Sequence, residues 1–299
     1  MTAESIPTAQ TPVDAQAPVP PRSVPSCSVV IPAYNEAAGI GRMLDHLYED
    51  GLARRADVVV VCNGCTDDTA ERARATGHPV RVIELEQPSK TAAIRAGERA
   101  APTLPRIYVD ADVVTSGAAI TAVAEALVGA VVAGRAPARF DLRDCSWIVR
   151  RFHDASSRLP SVQAELCGGG MYGLSATARA RFADFPDLIA DDLFVARIVA
   201  PDELVIVDTR PTVITPPRSL DALWRVRKRV VRGTQEMAAT QGVATTAGTT
   251  GRELLRQLRS PANVLDVAVY AAVVVGARLA VRFGRQAPRW ERDETSRAG

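Results

Sequence analysis

Short apolar segments that alternate with helix-type segments constrain the fold of this chain more than any other feature. Four segments rich in Val and Ile precede residue 110, at residues 28–32, 58–62, 80–83 and 107–109. A short, continuous apolar run is typical of a strand covered on both faces. After the first run, apolar side chains recur at helical spacing, at Ile40, Met43, Leu44 and Leu47. The alternation predicts an α/β fold with a doubly wound, parallel sheet.

Composition limits the functional classes. The chain has 299 residues, of which 47% are hydrophobic, enough for one large domain or two small ones. The net charge of +2 gives no bulk electrostatic reason to expect nucleic acid binding. Five cysteines form no even disulfide framework, and no apolar run near the N-terminus resembles a signal peptide. We therefore expect a cytoplasmic protein.

We divide the sequence into three parts. Residues 1–25 are rich in Pro, Ala, Thr and Ser, and we expect a disordered leader. Residues 26–235 contain the alternating strands and helices and form the main domain. Residues 236–299 contain a Thr-, Ala- and Gly-rich stretch at 239–251, predicted to be a mobile loop, then an apolar stretch at 264–281 and a charged tail.

The apolar stretch leaves several structures open. Its longest uncharged run, Val267 to Ala277, is shorter than the ~20 residues that a bilayer span needs. With Asp266 and Arg278 included, it could be a marginal span, lie at the membrane interface, or pack as a helix on the domain. The basic stretch at 223–232 offers positive charge for anionic headgroups. We expect peripheral contact with the inner face of the plasma membrane.

Polar motifs follow the predicted strands. Tyr34-Asn35-Glu36, Asn63-Gly64 and Asp110-Ala111-Asp112 come directly after the first, second and fourth strands, and ligands of doubly wound sheets bind at that edge. Asp110 and Asp112 share one face of an extended chain. Their oxygens suit Mg²⁺ or Mn²⁺, cations that usually bind substrate phosphates as well. The alternative is a solvated turn.

Three segments, in their order along the chain, resemble family 2 glycosyltransferases over roughly residues 27–235. They are Val30–Glu36 (VIPAYNE), Asn63–Thr69 (NGCTDDT) and Asp110-Ala111-Asp112. The resemblance implies the GT-A fold, a Rossmann-like, doubly wound mixed sheet that is mostly parallel, here with a C-terminal helical extension. It implies an inverting, metal-dependent transfer of a sugar from a nucleotide diphosphate donor to a hydroxyl acceptor. We expect a saccharide or lipid-linked saccharide acceptor, in cell-envelope or exopolysaccharide synthesis.

The resemblance also implies roles at the donor end. Mn²⁺ or Mg²⁺ is held by Asp112, with help from Asp110. The donor contacts implied are Pro32, Tyr34, Glu36, Asn63, Lys90 and Asp110. Cys62 stands where the family often has an Asp that contacts the base, so a UDP-sugar is only the default donor. Lys90 lies in a segment similar to the family's Gly-Lys-x-x-Ala-Leu-Asn-x-Gly, with Arg95 in place of Asn.

At the acceptor end, the resemblance places a loop at Gly169, Gly170 and Met171. It makes Asp192 the catalytic base and Asp191 its partner; alternatively, the two acids simply complement a helix dipole. Arg225 and Arg229 share a helix face and could hold a phosphate, or form a solvated basic face. Val226 and Val230 replace the Gln and Trp of the polymerising members' Gln-x-x-Arg-Trp motif, which argues against a processive polymerase.

Two other functions remain open. A nucleotide-sugar-binding protein without turnover would be expected to lose some of the four acids Asp110, Asp112, Asp191 and Asp192, and all are present. A thiol redox protein acting through Cys62 and Cys65 would need a thioredoxin-like context, which the sequence does not offer. A zinc site would need a second cysteine pair.

Overall fold

The protein is described by a computed structural model covering residues 26–52, 55–128, 131–187, 191–241 and 247–283; the predicted leader and charged tail lie outside these ranges. The strands are β1 (Cys27–Ala33), β2 (Ala56–Asn63), β3 (Val80–Leu85), β4 (Arg106–Val109), β5 (Val113–Val114), β6 (Ala133–Arg135), β7 (Ala138–Phe140), β8 (Met171–Leu174), β9 (Leu204–Ile206) and β10 (Thr212–Ile214). The helices are α1 (Ile40–Tyr48), α2 (Thr69–Ala75), α3 (Lys90–Ala100), α4 (Gly117–Ala126), α5 (Trp147–Ser157), α6 (Pro160–Gln163), α7 (Ala176–Arg179), α8 (Asp191–Ile198), α9 (Leu220–Gln241), α10 (Ala247–Gln257) and α11 (Val264–Phe283).

The central sheet has the strand order β3-β2-β1-β4-β8-β6-β9. The first four strands are parallel, β8 is antiparallel to both of its neighbours, and β6 and β9 are again parallel. Helices cover both faces, because alternate residues of a strand point to opposite sides. Val29 and Ile31 of β1 join the core that contains α1 and α4, whereas Val30 joins the core that contains α3. The predicted mixed, mostly parallel fold is confirmed.

Helix α3 lies very close to the sheet. A Cβ atom on Gly97 would lie 2.4 Å from Cγ1 of Val30, so only glycine allows this approach. Ser89 caps the helix by accepting a hydrogen bond from the Ala92 amide at 3.2 Å. Lys90 and Gly97 lie on the same helix face, seven residues apart.

A second, small sheet connects the acidic turn after β4 to the C-terminal helices. Ile214 of β10 pairs with Val113 of β5 on one side and with Phe140 of β7 on the other. Short segments then lead from β7 to α5 and from β10 to α9. The first residues of α5 and α9 are therefore reached from the end of the sheet that carries the Asp110–Asp112 turn.

The C-terminal part is helical. The loop predicted at 239–251 is wrong over the described residues, because α9 continues through Gln241 and α10 begins at Ala247. Alanine and glutamine in this stretch favour helix. The Glu253 carboxylate of α10 accepts hydrogen bonds from the Ser161 amide and hydroxyl, which holds α10 in place. The apolar stretch forms α11, which packs on α5 and α9.

Candidate active site

A cavity lies at the carboxyl end of β4, between the start of α3 and the start of α8. Its volume is about 10 Å³, room for roughly one water molecule. Eight of the residues predicted for the site line it: Pro32, Lys90, Asp110, Gly169, Gly170, Met171, Asp191 and Asp192. Residues from both the donor end and the acceptor end are thus brought together at one edge of the sheet.

Lys90 joins the two ends of the site. Its Nζ lies 2.8 Å from Oδ1 of Asp110 and 2.8 Å from Oδ1 of Asp191. Burial alone would lower the pKa of Lys90, but the charges of Asp110 and Asp191 outweigh burial and hold the pKa well above its usual value. Lys90 is therefore a cation that neutralises two carboxylates from distant parts of the sequence.

The two acids that open α8 have different surroundings. Asp191 is buried, and its Oδ2 accepts a hydrogen bond from the Tyr172 hydroxyl at 3.0 Å. The Oδ2 atom of Asp192 accepts a hydrogen bond from the Gly168 amide at 3.0 Å. Burial, and then the Asp191 charge, raise the pKa of Asp192. A carboxylate with a raised pKa is a better base toward a hydroxyl group.

The glycine segment that lines the cavity is held by close packing. Gly168 and Gly170 have φ values of +71° and +70°, a region that glycine adopts without strain. A Cβ atom on Gly169 would lie 2.7 Å from Cδ of Arg135, and one on Gly170 would lie 2.5 Å from Cγ1 of Val113. Any side chain at these two positions would disturb the wall of the cavity. The glycines therefore have a packing reason as well as their predicted acceptor-side role.

Arg135 supports this segment from behind. The guanidinium is buried and donates hydrogen bonds to the carbonyl oxygens of Gln163 and Glu165, at 2.7 and 2.8 Å. The Gly170 carbonyl accepts a hydrogen bond from the Asp110 amide at 2.9 Å, which ties the glycine segment to the acidic turn. The backbone on both sides of the cavity is thus fixed.

Three residues predicted to bind the donor lie at the same edge, outside the cavity lining. Tyr34 and Glu36 follow β1; Tyr34 is half-buried and Glu36 buried. Asn63 ends β2, and its amide is engaged with backbone, donating to the Ala33 carbonyl at 2.7 Å and accepting from the Ser89 amide at 3.1 Å. Asn63 thus joins β1 to the start of α3. Its contact with a donor stays a prediction.

The residues predicted to hold a metal can be tested against the chemistry of the ion. Asp112 is exposed in the turn after β4, and the Asp110 side chain is 42% exposed. No group of three or more His, Cys, Asp or Glu side chains within the described ranges is arranged to hold a metal ion. Two carboxylates beside an open edge do fit a hard cation that takes its other ligands from substrate phosphates and water.

The acidic turn also affects its own titration. Partial burial at the cavity raises the pKa of Asp110 to about 6; the Lys90 charge opposes this shift and the Asp112 charge adds to it. A nearby cation is the ordinary means of keeping such a carboxylate ionised. The electrostatics of the turn are therefore consistent with a site that takes positive charge.

Arg225 and Arg229 lie on α9, and neither lines the cavity. Arg225 forms an ion pair with Asp221, one helical turn earlier. Helix α9 packs against α5 and α11. The phosphate-binding role of these arginines stays a prediction.

Cys62 belongs to the hydrophobic core, and Cys65 packs against it. Both cysteines are free thiols, and Cys62 is buried at the end of β2. Burial, and then Cys65, raise the pKa of Cys62 to about 12, whereas reactive cysteines have lowered values. The Asn35 amide donates a hydrogen bond to Sγ of Cys65 at 3.3 Å. These contacts argue against the thiol redox function.

Sequence reasoning gave no role to Tyr172 or Arg135, which hold Asp191 and the glycine segment. It placed Gly168 in the acceptor-side loop, but did not foresee its hydrogen bond to Asp192. Tyr172 lies on β8, opposite Tyr108 of β4, and the two rings stack with centroids 4.8 Å apart. A polar aromatic residue inside an apolar strand was the only local signal, since the hydroxyl of a buried tyrosine usually finds a partner.

Comparisons with known proteins bear on the fold and on the family. A mannosyltransferase from Pyrobaculum calidifontis, solved with GDP-Man and Mn²⁺, matches with a TM-score of 0.57 and 20% identity, over 92% of each chain. Glucosyl-3-phosphoglycerate synthase from Mycobacterium tuberculosis, solved with Mn²⁺, UDP and glucosyl-3-phosphoglycerate, matches with a TM-score of 0.50 and 21% identity, over 76% of this chain and 82% of that chain. A comparison with curated protein sequences finds no match.

The structural likeness shows a shared fold, that of the GT-A glycosyltransferases. The model of the family described as Glycosyl transferase family 2 matches residues 28–180, just over half of the chain. The matched range contains the motifs after β1, β2 and β4, Lys90, and the glycine segment. The chain belongs to glycosyl transferase family 2.

Proposed function

We propose that the protein is a metal-dependent, inverting glycosyltransferase that moves a sugar from a nucleotide diphosphate donor to a hydroxyl group of an acceptor. One observation carries the proposal: a single ammonium group, Lys90 Nζ, lies 2.8 Å from both Asp110 and Asp191, and Asp192 lines the same cavity. A donor-side acid and the acceptor-side acids therefore adjoin, as a direct transfer between two bound substrates requires.

The acids have separate roles in this proposal. Asp192 accepts the proton of the acceptor hydroxyl as that oxygen attacks the sugar, with its carboxylate oriented by the Gly168 amide. Asp112 and Asp110 would hold Mn²⁺ or Mg²⁺, which would take further ligands from the donor diphosphate. The bound cation would supply positive charge against the negative charge of the departing diphosphate. In the proposal, Lys90 adds a further positive charge beside that group.

The donor base is proposed from the family resemblance. Mn²⁺ accompanies GDP-Man in the mannosyltransferase and UDP in the synthase, so both purine and pyrimidine donors occur among proteins of this fold. We retain a UDP-sugar as the default donor. For the acceptor we propose a saccharide or lipid-linked saccharide of cell-envelope or exopolysaccharide synthesis, met at the cytoplasmic face of the membrane.

The test is turnover. The purified chain is incubated with a panel of UDP-, GDP-, dTDP-, ADP- and CDP-sugars and Mn²⁺ or Mg²⁺, and release of nucleoside diphosphate is measured. At least one donor should be hydrolysed slowly, or transferred when an acceptor is added. A thermal-shift screen of the nucleoside diphosphates runs beside it, since a ligand at 100 times its Kd adds about 2.7 kcal/mol of stability. Binding without any turnover would favour the nucleotide-sugar-binding alternative.

A further inference from the structure

Helix α11 is apolar on two opposite faces. One face is buried against the domain through Val267, Tyr270, Val273 and Ala277. The other face forms an exposed apolar stripe, which repeats at intervals of three and four residues and consists of Leu265, Ala268, Ala272, Val275, Leu279 and Phe283. The larger members are about half exposed or more, from 49% for Leu265 and Leu279 to 77% for Phe283. A contiguous apolar surface of this kind marks a contact with a partner or a membrane.

An apolar groove opens onto this stripe. The groove has a volume of about 590 Å³ and lies between the first turns of α5 and α9 and the middle of α11. Trp147 and Trp224 line it, and so does Ala272, which also belongs to the apolar stripe. Trp147 is 59% exposed, whereas tryptophan side chains are highly buried on average. The groove and the stripe are therefore one continuous apolar surface.

The part of the chain that carries this surface has a net positive charge, although Asp221 lines the groove. Residues 218–283 carry eleven basic and four acidic side chains, a net charge of +7, while the whole chain has +2. The rest of the chain is therefore negative, at −5. Arg278 and Arg282 lie beside the apolar stripe on α11 itself, and both are exposed. Exposed apolar side chains within a basic region are complementary to an anionic lipid surface.

The packing of α11 decides between lying on a bilayer and crossing it. By length and composition alone, the helix Pro261–Phe283, which contains an 18-residue window with a mean hydropathy of 2.0, could cross a membrane. However, Asp266 of α11 is buried and forms ion pairs with two arginines. Arg151 lies in α5, and Arg158 directly follows that helix. A crossing α11 would carry this ionic cluster into the hydrocarbon, at high cost.

A second fixed point lies ten residues further along α11. A Cβ atom on Gly276 would lie 2.5 Å from the Trp224 ring of α9, so the ring packs directly on the α11 backbone. Between the two points, the Tyr270 ring stacks on Phe152 of α5, with centroids 5.0 Å apart. Helix α11 is thus attached to the domain along most of its length, and only the exposed stripe is left for another contact.

We propose that α11 lies in the plane of an anionic membrane surface, with the exposed stripe inserted among the lipid chains and the adjoining groove holding the hydrocarbon chain of one lipid. The stripe extends over nineteen residues, from Leu265 to Phe283, about 27 Å of helix, and covers an area of bilayer instead of crossing it. The inference deepens the proposed function, because this attachment would bring a lipid-linked acceptor to the edge of the sheet where the acids lie. The lipid contact itself needs no turnover.

The test uses flotation of the full chain with vesicles of phosphatidylcholine containing 30% phosphatidylglycerol, and with vesicles of phosphatidylcholine alone. We expect flotation with the anionic vesicles, at least tenfold weaker partition into the neutral ones, and weaker partition at high salt. The double variant Val275→Glu/Leu279→Glu should lose tenfold or more in partition, since both positions are exposed and both new charges oppose insertion. Val128→Glu, at a 77% exposed position after α4, is the matched control and should float like the wild type.

Two further measurements complete the test. Carbonate at high pH should strip the protein from the vesicles, as expected for a helix in the plane of the interface; retention after this wash would show a crossing helix and overturn the proposal. Equal flotation of the double variant and the wild type, or no flotation of the wild type, would also overturn it. So would a dimer in sedimentation that the double variant abolishes, because a second copy would then cover the stripe.

The thermal shift with nucleoside diphosphate and Mn²⁺ is measured on every variant. An unchanged shift in the double variant shows that the fold is intact, so that a loss of flotation reports on the lipid surface. Failure of flotation with intact turnover would remove the membrane proposal alone. Absence of turnover with intact flotation would remove the proposed function alone.

Discussion

The Tyr172 hydroxyl donates a hydrogen bond to Oδ2 of Asp191, 3.0 Å away. Lys90 binds the other oxygen of the same carboxylate. Asp191 is 3% exposed, so both of its oxygens are occupied in a buried position. This arrangement suits an acid that positions the start of α8, and with it Asp192, better than one that takes up a proton from the substrate.

Replacement of Tyr172 by Phe should test this positioning role. The change removes one hydrogen bond to a charged group, an interaction of about 1.5–3 kcal/mol. We expect kcat to fall about tenfold or more, while the KM for the donor changes little. Steady-state kinetics with saturating metal give both values.

Tyr108→Phe is the matched control. Tyr108 stacks on Tyr172 and also lines the cavity, but its hydroxyl donates a hydrogen bond to Glu98, 2.6 Å away, and Glu98 does not line the cavity. Tyr108→Phe should lower the melting temperature and leave kcat nearly unchanged. Equal losses of kcat in both variants would mean that the tyrosines act only through stability.

The acids at the two ends of the site should separate in their effects. Asp112→Asn should weaken metal and nucleoside diphosphate binding together, because an amide is a poorer ligand for a hard cation. Asp192→Asn should leave that binding nearly intact and lower turnover by about 10² or more, through loss of the general base. Calorimetry with nucleoside diphosphate and Mn²⁺ measures the first effect. A loss of binding in Asp192→Asn as severe as that in Asp112→Asn would contradict the assignment.

Lys90→Met should impair both ends at once. Without the ammonium group, Asp110 and Asp191 face each other with no counter-charge, and an unpaired buried carboxylate is costly. We expect weaker donor binding, turnover lower by about 10² or more, and a lower melting temperature. Lys228→Met, which removes the only other lysine of the chain, is the control and should leave donor binding unchanged. An unaffected donor affinity in Lys90→Met would show that Lys90 has a structural role alone.

His153 should make stability depend on pH. The ring is buried between Phe140 and Phe152, and neither ring nitrogen has a hydrogen-bond partner among the described residues. Burial, and then the Arg227 charge, lower the pKa of His153 to about 4. In the unfolded chain its pKa is about 6.5. Between pH 6.5 and pH 4, His153 is protonated in the unfolded state and neutral in the folded state. The free energy of unfolding therefore falls as the pH falls from 6.5 to 4.

The size of this effect is limited by the shift, and is at most about 3 kcal/mol. Urea unfolding at several pH values measures it. His153→Leu replaces the imidazole with an apolar side chain of similar bulk. The variant should show a smaller slope of the unfolding free energy against pH over that range, while other groups titrate as before. An identical slope in the variant and the wild type would assign the pH dependence to other residues.

The convergence of the site could be predicted because it depends on local patterns. Lys90 and Asp110 each lie just beyond a strand of the parallel sheet, and parallel strands bring such positions to one edge. The paired acids Asp191 and Asp192 were found only through the family resemblance. The roles of Pro32 and of the glycine segment were likewise implied by the family resemblance.

The supporting contacts could not be predicted, because they depend on the register of an inserted antiparallel strand. Tyr172 faces Tyr108 across 64 positions of sequence, and no local periodicity fixes that pairing. Asp266 is a similar case. In the sequence it interrupts an apolar stretch, whereas in the structure it binds Arg151 and Arg158, more than 100 residues earlier. Charges that a pattern treats as breaks can thus be the points of attachment.

Gly97 has a consequence for how the site tolerates change. Its contact with Val30 sets the height of α3 above the sheet, and Lys90 lies seven residues away on the same face, about 10 Å along the axis. The position of α3 over the sheet therefore depends on the absence of a side chain at Gly97. Gly97→Ala would tilt α3 or lift it from the sheet. The Lys90 ammonium group would then move relative to Asp110 and Asp191. A residue that meets no substrate is thus able to alter catalysis as strongly as one that does.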